Sequence, residues 1–147
     1  MRENAKLPGT AMNPIEPEIK RYFEDKEEAA AVYLFGSHAY GRETAASDVD
    51  IAVLLQRIYL PSAQAFRKQY MVELGGILKR DIHPVVMNHA GELLLKQILS
   101  KGKRILAKDP TFDAHFTMIA YSRIMDFNPY LKQMQEGMKK NMLEPGQ

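Results

Sequence analysis

Two short apolar runs, Val32-Tyr33-Leu34-Phe35 and Ile51-Ala52-Val53-Leu54-Leu55, flank a polar connection that opens with Gly36-Ser37 and closes with Asp48-Val49-Asp50. The first, partly β-branched and aromatic and stopped by Gly36, is read as a buried strand, and the second as another. A sheet buried on both faces needs helices above and below it, so the chain is constrained to an α/β (α+β) architecture. The second strand, Asp48 to Leu55, is unusual in beginning with two carboxylates. Connections between buried strands are where function concentrates, and this one, residues 36–47, carries two glycines and two serines.

The remaining pattern supplies the helices. Residues 1–14 carry Pro8, Gly9 and Pro14 and read as a flexible leader, with a single domain over 15–147. Ile15, Ile19, Tyr22 and Phe23 recur at helical spacing, as do Phe66, Tyr70, Leu74, Ile77 and Leu78 after Pro61. A third strand, Ile82 to Met87, contains Pro84, which has no N–H for a ladder; the strand is therefore expected at an edge or bulged. Glu92 to Lys101 reads as a helix closed by Gly102. Asp109-Pro110 starts another, with Phe112, Phe116 and Ile119 inward, and Asn128-Pro129 is expected to break it before a last helix over Tyr130 to Met142. The predicted order is α-β-loop-β-α-β-α-α-α.

Composition removes whole classes of function. The 147 residues contain no cysteine, which excludes disulfide scaffolds, thiolate metal sites and thiol nucleophiles. A net charge of +2 gives no global field of the kind a nucleic-acid binder uses, so direct nucleic-acid binding is not expected. The longest uncharged stretch, Ala29 to Gly41, is too short to span a bilayer, and a cytoplasmic protein is expected.

The chemistry lies in the acid pair. Side chains at i and i+2 of a strand share a face, so Asp48 and Asp50 point the same way, close enough to hold one hard divalent cation. Two like charges held together are costly unless neutralised, and Mg²⁺ shared between carboxylates, waters and substrate phosphates is the usual solution. Gly36 lets backbone N–H groups approach an anion, and the Ser37 hydroxyl can donate to a phosphate oxygen. Phosphoryl or nucleotidyl transfer is the reaction class such a site serves.

The segment GSHAYGRETAASDVDIAVLL resembles the signature of the DNA polymerase β superfamily of nucleotidyltransferases. More narrowly it is similar to the minimal nucleotidyltransferases, the MntA-type MNT antitoxins encoded beside HEPN toxins. RDIHPVVMNHAGELLLKQILSKGKRIL is similar to that family's third strand and following helix, and YSRIMDFNPYLKQM to its tail. The resemblance implies a short mixed sheet flanked by helices and an ATP- and Mg²⁺-dependent enzyme that moves AMP onto a tyrosine of a partner HEPN ribonuclease. By the same resemblance, Gly36 and Ser37 would contact the triphosphate and Asp48 and Asp50 would ligate Mg²⁺. The family's run on the third strand is Asp-x-Asp-Leu, its second acid catalytic; here the run is Asp81-Ile82-His83-Pro84, with His83 at the position of that acid.

Three readings follow from that departure. Asp81 lies roughly 6 to 7 Å further along the strand than His83 and could reach the site through a bulge near Pro84. His83 could itself accept the acceptor's proton, although imidazole is a poor Mg²⁺ ligand. Or transfer is impaired, a misplaced base typically removing ~10²- to 10⁴-fold of rate, and the domain neutralises its toxin by binding alone. Lys96, Lys101, Lys103, Arg104 and Lys108 are read as a helix C-terminus with a solvated loop, against a partner or RNA contact. Arg42 reads as an exposed loop arginine, and His38, His89 and His115 share no metal-ligand spacing. Met118, Met125, Met134, Met138 and Met142 fill a core or mark a partner surface. Homo- and hetero-oligomers are both compatible with these patterns.

Overall fold

The computed structural model describes residues 15–36 and 48–143, with the side chains of the last helix described only in part beyond residue 126. The chain forms α1 (Glu16–Phe23), β1 (Ala29–Phe35), β2 (Val49–Leu55), α2 (Ala63–Leu78), β3 (Ile82–Val86), α3 (Glu92–Lys101), β4 (Lys103–Ala107) and α4 (Pro110–Leu143). Short 3-10 turns at Arg57–Ser62 and Met87–His89 lead into α2 and follow β3. The sheet has the order β3-β2-β1-β4, with β1 antiparallel to both β2 and β4, and β2 parallel to β3. It is the mixed sheet with flanking helices that the sequence implies.

β2 lies inside the sheet, and every residue of it except Asp50 is fully buried. One face, carrying Val32, Leu34, Ile51, Val53 and Leu55, packs against Ile19 and Phe23 of α1 and Tyr70 and Leu74 of α2. The other, carrying Tyr33, Phe35, Ala52 and Leu54, packs against Leu95 and Ile98 of α3 and Ala120 and Ile124 of α4. Each such aliphatic side chain removed from water contributes about 1.5–3 kcal/mol, which fixes the face on which every strand residue must lie.

β3 is an edge strand, as Pro84 requires, and it does not bulge: the register with β2 runs unshifted from Val49↔Ile82 to Val53↔Val86. The reason lies in the phase of the ladder. The Val49 N–H donates to the Asp81 carbonyl at 2.9 Å, so Asp81, His83 and Val85 turn their backbone groups toward β2 while Ile82, Pro84 and Val86 face the open edge. The missing N–H of Pro84 falls where no donor is needed. Beyond the end of β3 the Asn88 amide continues the pairing, accepting from the Leu55 N–H and donating to its carbonyl, both at 2.9 Å.

Three sequence expectations are corrected. The basic segment is not a solvated loop, because Lys103–Ala107 pairs with β1 as β4. Its cations have local partners: Lys103 meets Glu16 at 2.8 Å, Arg104 meets Asp113 at 2.9 Å, and Lys108 donates to the Phe23 and Lys26 carbonyls at the end of α1. Asn128-Pro129 does not end a helix; α4 runs through it for 34 residues, about 51 Å. A proline inside a helix removes one i→i−4 bond, and a long ladder on both sides survives that loss. Ile77 and Ile119 face outward, as do Met118 and Met125, whereas Asp113, between Phe112 and Phe116, is fully buried. Met134, Met138 and Met142 lie outside the described side chains.

The start of α4 is as read: Asp109 accepts from the Phe112 N–H at 3.1 Å, and Pro110 occupies the first helical position. Asp113 then ties α4 to the sheet, accepting from the Tyr33 hydroxyl at 2.8 Å and from Arg104 at 2.9 Å. Burial, then the bond to Asp113, raises the Tyr33 pKa well above its ordinary value of 10, so it stays a donor.

Candidate active site

Register assembles the site. Asp50 is flanked by Phe35 on β1 and His83 on β3, and Asp48 immediately precedes β2. Because Val49 and Ile51 point into the α1/α2 layer, both acids emerge on the opposite face, at the end of the sheet where β1 stops. His83 shares that face, with Nε2 3.6 Å from Asp48 Oδ2 and Nδ1 3.6 Å from Asp50 Oδ1. One imidazole therefore spans both carboxylates. All three side chains reach water, at 50% exposure for Asp48, 33% for Asp50 and 56% for His83.

Gly36 completes the arrangement for a reason the sequence pattern only half contains. Its φ is +77°, a region L side chains rarely adopt. An ideal Cβ built there would also overlap Asp50 Oδ2 and lie 3.2 Å from the Asp50 carboxyl carbon. Gly36 thus does two things: it turns the chain out of β1 and leaves the space in which the Asp50 carboxylate sits. Ser37 lies outside the described residues.

Asp81 goes elsewhere. With Ile82 and His83 it lines a groove against Met71, Val72, Lys79 and Arg80 of α2 and the turn after it, and without a bulge no backbone shift carries it toward the acid pair. Among the described residues no three His, Asp or Glu side chains are grouped to hold a metal ion, and those residues offer the two carboxylates of Asp48 and Asp50. That donor set suits Mg²⁺, a hard cation commonly bound by one or two carboxylates with substrate phosphates and water completing its shell. Among the described residues no helix is long and apolar enough to cross a membrane.

A mixed sheet whose inner strand opens with an acid pair beside a strand-ending glycine defines a nucleotidyltransferase fold. Residues 17–111 match the family model described as polymerase beta, nucleotidyltransferase, and the chain belongs to that family. Among solved structures, one similar chain comes from a toxin-antitoxin crystal structure with AMP-PNP, at 21% identity and TM-score 0.62, covering 87% of this chain and 98% of that one. Another belongs to the MntA-HepT toxin-antitoxin structure, at 18% identity and TM-score 0.57, covering 90% and 99%. A third comes from a tri-AMPylated Shewanella oneidensis HEPN toxin in complex with an MNT antitoxin, at 20% identity and TM-score 0.58, covering 90% and 99%. At such identities the likeness is one of fold. No curated protein matches the chain.

Proposed function

We propose that the protein is an MNT-type antitoxin that transfers AMP from ATP to a tyrosine hydroxyl of a partner HEPN ribonuclease toxin, silencing it. The observation that carries this reading is the convergence of Asp48 and Asp50 beside Gly36 at the open end of the sheet. The structural neighbours support it, since one was crystallised with AMP-PNP and another with an AMPylated HEPN toxin.

Asp48 and Asp50 are the residues that would hold Mg²⁺, which when bound offsets phosphate charge during nucleotidyl transfer. Gly36 and Ser37 would contact the triphosphate. The phenolic oxygen attacks the α-phosphorus, the bond from that phosphorus to the bridging oxygen breaks, and pyrophosphate leaves. The phenolic proton passes to a base on β3. His83, 3.6 Å from a carboxylate oxygen of each acid, supports that role, with Asp81 two residues before it on the strand as the other candidate. One observation favours a second reading: an imidazole stands between the two acids and, among the described residues, no third acid joins them, so the domain would neutralise its toxin by binding without transfer.

Intact-mass analysis of the HEPN partner after incubation with the protein, ATP and Mg²⁺ separates the two. The expected result is a gain of one or more AMP units that disappears in an Asp48→Ala/Asp50→Ala double variant. No gain, with a stable complex and a silenced toxin, overturns transfer and leaves the binding antitoxin.

A further inference from the structure

α2 buries Tyr70 and Leu74 in the core but leaves a second stripe uncovered. Val72 is 73% exposed and Met71 38%, an apolar pair facing water directly beside the strand that carries His83. Together with Gly75 they floor a groove that ends at Asp81 and His83. Gly75 adds no side chain to it, and its Cα packs close to the turn after α2, where a Cβ would meet the Arg80 carbonyl at 3.4 Å. Lys79 and Arg80 rim the groove where the chain leaves α2, Lys79 in the left-handed conformation at φ 56°. Lys68 lies one turn earlier on the same stripe. The one acid of α2, Glu73, is turned the other way, accepting from the Tyr22 hydroxyl at 2.6 Å. Among the described residues that line the groove, Lys79 and Arg80 thus face one acid, Asp81, around an apolar floor that ends at His83.

We propose that this groove seats the segment of the partner protein that carries the acceptor hydroxyl, and that this segment is apolar with acidic residues beside it. The proposal rests on the function proposed above. The floor matches an apolar or aromatic side chain, and the positive rim matches acidic neighbours. A segment lying along the groove reaches His83 at its end, whose ring nitrogens stand 3.6 Å from a carboxylate oxygen of Asp48 and of Asp50. β-strand addition is not the mode, since Pro84 leaves a gap in the donors of the β3 edge.

The test uses the full chain with its purified HEPN partner and, separately, with AMP-PNP, by calorimetry. Val72→Asp places a charge on the apolar floor and Lys79→Glu reverses the rim; thermal melts of each confirm folding. Both variants are expected to weaken partner binding about tenfold or more, the loss in Lys79→Glu shrinking at high salt, with AMP-PNP affinity unchanged. A complex that forms with unchanged affinity in both variants overturns the groove assignment alone. Loss of AMP-PNP affinity with partner binding intact also overturns it and makes the groove a nucleotide subsite. Absence of any complex with the unaltered protein overturns the functional reading and this inference with it.

Discussion

Gly36→Ala is the smallest change that tests how the site is built. Two costs are separable. The first is conformational: φ +77° in a residue with a Cβ costs about 1–2 kcal/mol, which for a chain of this size lowers Tm by a few degrees. The second is steric, since the new methyl overlaps Asp50 Oδ2 and the carboxylate must swing away from its place beside His83. A displacement on the order of 1 Å in a reacting constellation costs roughly 10²-fold in rate, so transfer is expected to fall by about that factor while the fold persists. Gly36→Asn divides the two effects, because asparagine tolerates positive φ yet brings the same Cβ. Single-turnover AMP transfer followed by mass spectrometry, with calorimetric Tm in parallel, reads both. If Asn restores Tm but not rate, the overlap with Asp50 is the cause. Gly36→Ala with unaltered transfer would refute the account of Gly36 as the residue that makes room for the acid.

Two further outcomes follow from the packing and the ionisable groups. Asp113→Ala removes the acceptor of the buried Tyr33 hydroxyl and of Arg104; the expected loss is about 2–4 kcal/mol by urea denaturation, with Tyr33→Phe recovering part of it in the double variant. Additive losses would show that the two side chains do not act through each other. The Glu92 pKa is held down by its bond to Arg123, and that of Asp109 by bonds from Gln56 and the Phe112 N–H. Carboxylates with lowered folded pKa contribute stability that is present above their ordinary values, 4.5 and 3.8, and is lost as pH falls through the folded ones. The urea midpoint should therefore fall on acidification below about pH 5, with a shallower slope in Glu92→Gln; an unchanged slope would remove Glu92 as a contributor.

Local pattern determined much of this protein. The strand alternation behind the Asp48/Asp50 pair, the Asp109-Pro110 start of α4 and the Gly102 end of α3 each depend on chemistry within a few residues, and all are legible in the sequence. What joins distant segments is not. Lys103–Ala107 is five residues that open with two cations and becomes a strand only because β1 offers a partner, since strand formation reflects its neighbours more than its own propensity. Pro129 looks like a break locally, but α4 continues past it as one helix. The site divides the same way. Sequence spacing puts two acids on one face; the parallel register of β2 and β3, decided by which apolar residues fit the α1/α2 layer, brings His83 between them and turns Asp81 toward α2. That glycine and no other residue fits beside Asp50 follows from a distance between two strands, which exists only once the sheet has formed.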